Sequence, residues 1–169
     1  MREQACCFTG HRDVAEPSVE SVVERTEEYI KALVQRGVKF FGVGGAVGYD
    51  TLVAKLLFRL RETELPDIKV ILVYSFDGYT DRWRPDQKAD ALLIRNRYDK
   101  IVKVSDKPGK AAYLQRDRHL VDGSAHCICY CARSSGGTAY TVRYALNKGL
   151  HVFNTADYDL TRLNSGGCW

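Results

Sequence analysis

Long apolar runs are missing from this sequence. No stretch approaches the roughly 18 consecutive apolar residues that a membrane-spanning helix needs. The N-terminus, MREQACCFTGHRD, lacks the apolar core of a secretory signal. A cytoplasmic protein with no membrane partner is therefore expected. An excess of one charge is also missing: 25 basic residues face 21 acidic ones, a formal charge of +4, and no basic run occurs. Dedicated duplex-DNA binders are usually more basic, so nucleic acid is not the expected partner; the small excess suits an anionic small molecule. The six cysteines form neither a disulfide framework nor facing CxxC pairs. Cys6 and Cys7 are adjacent and Cys168 is near the end, while Cys127, Cys129 and Cys131 alternate within HCICYCA. Alternation puts these three on one face of a strand, as small buried hydrophobes in a reducing compartment, and no metal is expected.

Named catalytic and cofactor motifs are missing too. The dinucleotide fingerprint GxGxxG, started at Gly42 and Gly44, meets Val47 where its third glycine belongs. No GxxxxGK[ST] phosphate loop is present. No GxSxG elbow offers an α/β-hydrolase nucleophile. No resident cofactor is expected.

What is there is regular alternation of two periodicities within 169 residues, enough for one domain with its own core. Apolar runs read as strands at Ala5–Thr9, Val38–Val43, Lys69–Phe76, Lys100–Val104, Ala125–Cys131 and Leu150–Phe153. Between them lie helical patterns. The first opens at Glu16-Pro17-Ser18, with Pro17 in its first turn, and repeats through Val19, Val22, Val23, Thr26, Ile30 and Leu33 to a stop at Gly37. The others span about Asp50 to Arg61, Asp86–Tyr98, Ala111–Val121 and Thr138–Lys148. Strand and helix in strict alternation predict an α/β, Rossmann-like, doubly wound domain over residues 1–169. Its mainly parallel sheet should carry helices on both faces. The core is expected over about 5–154, with a loose tail at 155–169. Ligands in such sheets sit at the strand C-terminal edge, where strand order reverses.

Three loops fall at that edge, each between a strand end and a helix start: Thr9-Gly10-His11-Arg12, then Gly44-Gly45-Ala46-Val47-Gly48-Tyr49-Asp50, then Ser134-Ser135-Gly136-Gly137-Thr138. Glycine lets backbone N–H groups approach a phosphate, and a helix start adds free donors and partial positive charge. Thr9, Gly10, Arg12, Gly44, Gly45, Gly48, Asp50, Ser135, Gly136, Gly137 and Thr138 are the expected ligand-binding residues, with turn formation as the plainer reading of the glycines. Asp50 either caps its helix or accepts from a ribose hydroxyl. Arg118 joins the ligand-binding set, an ion pair with Asp122 being its other reading. Arg82 and Trp83, in the aperiodic segment Asp77–Pro85, read as a lid or as a solvated loop.

CCFTGHR, GGAVGYD, RDRHLVDGS and GGTAYTVRYA, in that order and spacing, resemble the SLOG superfamily, in particular its YpsA-like branch, from about Cys6 to Asn154. The resemblance implies a Rossmann-like domain that binds nucleotides or nucleotide-derived ligands. Its wider circle includes LOG phosphoribohydrolases, single-stranded-DNA-binding DprA proteins, and sensors of cyclic ADP-ribose-type signals in defence signalling. LOG enzymes carry PGGxGTxxE; matching its GT to Gly137-Thr138 puts Thr141 at the catalytic glutamate. A threonine is no carboxylate base, so the expectation leans away from an enzyme and leaves catalytic residues unknown. The first reading is a sensor or sequestering protein for an ADP-ribose-like or other NAD-derived ligand. A nucleotide-cleaving hydrolase and a single-stranded nucleic-acid binder are the alternatives. A homodimer or higher oligomer is expected as well.

Overall fold

The computed structural model describes residues 1–15 and 18–164. Six strands alternate with five helices: β1 (Ala5–Gly10), α1 (Val19–Gln35), β2 (Phe40–Val43), α2 (Tyr49–Thr63), β3 (Lys69–Tyr74), α3 (Pro85–Arg95), β4 (Lys100–Lys103), α4 (Lys110–Asp122), β5 (His126–Tyr130), α5 (Gly136–Asn147) and β6 (His151–Asn154). Short 3-10 turns lie at Arg2–Gln4 and Leu160–Asn164. The strands form one sheet in the order β4-β3-β2-β1-β5-β6. Every pairing is parallel, so the expected mainly parallel sheet is parallel throughout.

From β1 the chain steps outward to β4, then returns to lay β5 on the other side of β1. Right-handed crossovers put helices made on the outward walk on one face and those made after the return on the other. The core divides accordingly. Val22 and Ile30 of α1, Val53 and Leu57 of α2, and Ile94 of α3 pack with Phe8, Phe41 and Val70. Leu120 and Val121 of α4, and Ala139 and Val142 of α5, pack with Cys7, Cys127 and Cys129. Each fully buried Val, Leu or Ile contributes about 1.5–3 kcal/mol. Strand alternation places Cys127, Cys129 and Cys131 on the second face, all buried and free; Cys168 lies outside the described residues.

Local signals explain the ends of α1. Ser18 is its N-cap, and the Ser18 hydroxyl accepts the Ser21 N–H at 3.1 Å. The helix stops before Gly37, whose φ of +94° suits the left-handed turn. Glu16 and Pro17 lie outside the described residues, and the helix itself begins at Val19. In α3 a proline does take the first helical position, at Pro85.

The tail differs from expectation. Thr155 and Ala156 are buried, and Leu163 is 1% exposed within the α5 face of the core. The Thr155 hydroxyl donates to the Cys129 carbonyl at 2.9 Å, and Arg143 Nε donates to the Leu163 carbonyl at 2.9 Å. The core thus runs on to Leu163 rather than ending at 154, because α5 and β5 offer this segment both an apolar seat and hydrogen-bond partners.

Candidate functional site

Strand order reverses between β1 and β5, so the loops that follow them stand side by side. His11 ties them together. It is buried, and its Nε2 accepts the Ala132 N–H at 2.9 Å. Its ring stands edge-on to Tyr130. Burial lowers its pKa, which keeps the ring neutral with the proton on Nδ1.

A cavity of about 470 Å³ opens at this point. Its floor is Thr9, Gly10 and Asp50; Gly136, Gly137 and Thr138 at the start of α5 form one wall. A Cβ built on Gly136 or Gly137 would meet no atom within 4 Å. The first N–H groups of α5 therefore border open space, with the positive end of the helix behind them. Arg12, Lys110 and Arg133 also line the cavity. Arg133 is 3.4 Å from Asp13, whose carboxyl is held below its usual range by its own backbone N–H first and by Arg133 second. Free helix donors within a cationic rim are a ready receptor for phosphate.

Most of the other glycines serve packing. A Cβ on Gly10 would sit 2.3 Å from Tyr49 Cδ1, and one on Gly48 would sit 2.2 Å from the Arg12 carbonyl oxygen. At Gly44 the neighbours are Asp50 Oδ2 and the Arg116 guanidinium, at 2.9 and 3.1 Å; at Gly45, Leu72 Cδ1 lies at 2.7 Å. Gly44, Gly45 and Gly48 therefore do not face the α5 cavity. Their loop contributes Ala46 and Asp50 to it instead.

Asp50 is 5% exposed. Its Oδ2 accepts the Ala46 N–H at 3.2 Å, while Oδ1 is buried without a partner. The Asp50 carboxylate thus pins the preceding loop, and the N-cap of α2 is Gly48, which corrects the capping reading. Burial pushes the Asp50 carboxyl up to about 6, against the opposing pull of Arg116.

Arg116 and Asp117 were not anticipated. Both side chains are 12% exposed, and they form an ion pair at 2.9 Å. Arg116 also donates to the Gly44 carbonyl at 3.2 Å. One signal was legible: Asp117 lies three and four residues before Leu120 and Val121, at a core-facing position of α4. Arg118, one residue further on, turns outward. It donates to the Tyr140 hydroxyl at 2.7 Å and lies over the Tyr140 and Tyr144 rings. Asp122 instead accepts from the Tyr144 hydroxyl at 2.9 Å. Arg118 is therefore not a cavity residue, since successive positions on a helix are about 100° apart.

Thr141 is 3% exposed, and its hydroxyl donates to the Gly137 carbonyl at 2.9 Å, below the helix start. Ser135 is the exposed N-cap of α5. The lid reading of Arg82 and Trp83 is not supported for this cavity. Arg82 is exposed, and Trp83 packs edge-on to Tyr79 at 5.4 Å, beside a different cavity. Among the described residues no group of three His, Cys, Asp or Glu side chains is arranged to hold a metal, and no helix is long and apolar enough to cross a membrane.

Fold and site together define a doubly wound parallel α/β domain with a crevice at the strand ends, bordered by the start of α5. The particular family is shown directly: the family model YpsA, described as the YspA SLOG family, matches residues 7–165, and the chain belongs to that family. Similar proteins include a UPF0398 protein of Bacillus pumilus (strain SAFR-032), 22% identical over 135 residues that cover 78% of this chain and 72% of that one. The UPF0398 protein SSP1297 of Staphylococcus saprophyticus is 25% identical over 107 residues, covering 62% and 56%. Among solved structures, DNA processing protein A (DprA) of Streptococcus pneumoniae superposes with a TM-score of 0.64 at 19% identity. The match covers 89% of this chain and 49% of that one, so this chain spans about half of the pneumococcal protein. DprA of Helicobacter pylori, described for its single-stranded DNA binding mode, gives 0.64 at 16% identity, covering 97% and 80%. At these identities the likeness establishes the fold.

Proposed function

We propose that this protein binds a nucleotide or nucleotide-derived ligand of the ADP-ribose or other NAD-derived class, and that it senses or sequesters that ligand in the cytoplasm. The ligand's phosphate rests on the first N–H groups of α5, with the Thr138 hydroxyl donating to it and Arg12 closing over it. Asp50 Oδ1 accepts from a ribose hydroxyl. One observation carries the reading: the open face of Gly136 and Gly137 borders a cavity whose rim holds Arg12, Lys110 and Arg133 and whose floor holds a buried, unpartnered carboxylate oxygen. Membership of the SLOG family supports a nucleotide-related binding role.

Hydrolysis is not part of the proposal. Thr141 stands where LOG enzymes have glutamate, and its hydroxyl is held by the Gly137 carbonyl. Single-stranded DNA is the second reading, favoured by the fold shared with the H. pylori protein. A homo-oligomer remains the expectation from sequence, and sedimentation of the purified chain decides it.

Calorimetric titration with ADP-ribose, cyclic ADP-ribose isomers, AMP and a short oligonucleotide tests the proposal. Saturable binding of a small nucleotide, abolished in Gly137→Val, supports it. If only the oligonucleotide binds, and Gly137→Val leaves that binding intact, the nucleic-acid reading replaces it. Mass spectrometry of small molecules released from the purified protein identifies the ligand itself.

A further inference from the structure

A second cavity, of about 250 Å³, lies at the ends of β2 and β3. It shares a single lining residue with the α5 cavity, and that residue is Asp50. Three tyrosines, Tyr74, Tyr79 and Tyr98, line it, with Leu72 and Ile94 as apolar floor. Tyr74 and Tyr79 lie 5.5 Å apart at 33°. Arg95, on α3, stacks its guanidinium over Tyr74 at 5.1 Å. Neither Arg95 nor Lys88, which also lines the cavity, forms an ion pair among the described residues. The Tyr79 and Tyr98 hydroxyls likewise have no hydrogen-bond partner among them. Both rings are partly buried against the core, so their hydroxyls remain open to an acceptor that a ligand brings.

Size, shape and sequence of groups point the same way. Small-molecule sites usually run from about 300 to 1,000 Å³. This cavity alone falls below that range and suits one ring system, while the two cavities together fall inside it. Aromatic walls with free donors suit a flat heteroaromatic ring bearing lone pairs. The order of chemistry along the protein is helix N-terminus, then the unpartnered Asp50 oxygen, then aromatic walls. The order along a nucleotide is phosphate, then ribose hydroxyls, then base.

We propose that the tyrosine-lined cavity is the base subsite of the ligand whose phosphate rests on α5, with the ribose lying at Asp50. This rests on the nucleotide reading above and deepens it, because it makes the base itself a determinant of affinity. A ligand that keeps the sugar phosphate but lacks the base loses contact with Tyr74, Tyr79 and Tyr98.

The test compares AMP with ribose 5-phosphate by calorimetry on the full chain. The wild-type protein is expected to bind AMP about 5- to 150-fold more tightly, the range for one base stacked on aromatic side chains. Tyr79→Leu should bring AMP close to the level of ribose 5-phosphate and leave ribose 5-phosphate unchanged. Ala91→Trp, which adds bulk to the cavity wall from the surface helix α3, should do the same without touching the phosphate end; its thermal midpoint shows that it is folded. Equal affinity for the two ligands in the wild type overturns the base subsite while leaving the phosphate site standing. So does unchanged AMP affinity in folded Tyr79→Leu and Ala91→Trp. Failure of AMP, ribose 5-phosphate and ADP-ribose alike to bind overturns the nucleotide reading and this inference with it.

Discussion

Gly10 lies against the ring of Tyr49 so closely that a Cβ on it would stand 2.3 Å from Tyr49 Cδ1. Tyr49 is itself fixed: its N–H donates to the His11 carbonyl at 3.2 Å, and its hydroxyl shares a 2.9 Å hydrogen bond with Thr26 of α1. The end of β1, the start of α2 and the middle of α1 therefore meet at one point. Gly137 is the counterexample, with nothing near its missing side chain.

These two glycines separate stability from binding. Gly10→Ala is expected to destabilise the fold by about 1–3 kcal/mol or more, the cost of overpacking a site that cannot move. Gly137→Ala should leave stability unchanged or slightly raised, since alanine is the better helix former by up to about 1 kcal/mol. Gly137→Val should abolish nucleotide binding by filling the space above the helix start. Urea unfolding and calorimetric titration of the three variants check this; equal stability losses at the two positions would contradict it.

Two arginines on opposite sides of the same question give a second contrast. Arg12→Ala is expected to weaken binding about 10- to 150-fold, corresponding to about 1.5–3 kcal/mol for a hydrogen bond to a charged group. Arg118→Ala should leave affinity unchanged, because its guanidinium lies over Tyr140 and Tyr144. A loss of affinity in Arg118→Ala comparable with that in Arg12→Ala would return Arg118 to the site.

Asp50 sets a pH dependence whose sign is fixed by burial. Its folded pKa, about 6, lies above the ordinary aspartate value of 3.8. Between these values the folded state holds more protons than the unfolded state, so its contribution to stability falls as pH rises from about 4 to 6. The full difference is on the order of 3 kcal/mol. Asp50→Asn should therefore gain stability relative to wild type on moving from pH 4 to pH 8, measured by urea unfolding at each pH. Binding runs the other way. Ionised Asp50 is the form that accepts from a hydroxyl, so wild-type affinity should fall below pH 6, and Asp50→Asn should lose that dependence.

The segment after β6 is part of the core, and Leu163→Ala should show it. Removal of a buried leucine side chain costs about 2–5 kcal/mol. A change below about 0.5 kcal/mol, the usual size for a surface substitution, would show that the segment only rests on the surface. Nucleotide binding by the folded variant should be unaffected, since Leu163 belongs to the α5–β5 core and not to the cavity.

The alternation of apolar runs with helical stripes was enough to order six strands and five helices, to make the sheet parallel, and to put Cys127, Cys129 and Cys131 on one face. These are consequences of local periodicity, which survives in the chain without its neighbours. The loops between strand ends and helix starts were legible for the same reason. Which glycine faces a ligand and which faces a tyrosine was not, because Gly10 and Tyr49, or Gly44 and Arg116, become neighbours only when distant segments pack. The inward turn of Arg116 and Asp117 and the outward turn of Arg118 depend on the rotation of α4 against the sheet. The tyrosine cavity gathers Tyr74, Tyr79 and Tyr98 from β3, the loop after it and the connection between α3 and β4. No spacing in the sequence records that meeting, because side chains from separate elements come together only through the tertiary packing of the sheet and its helices.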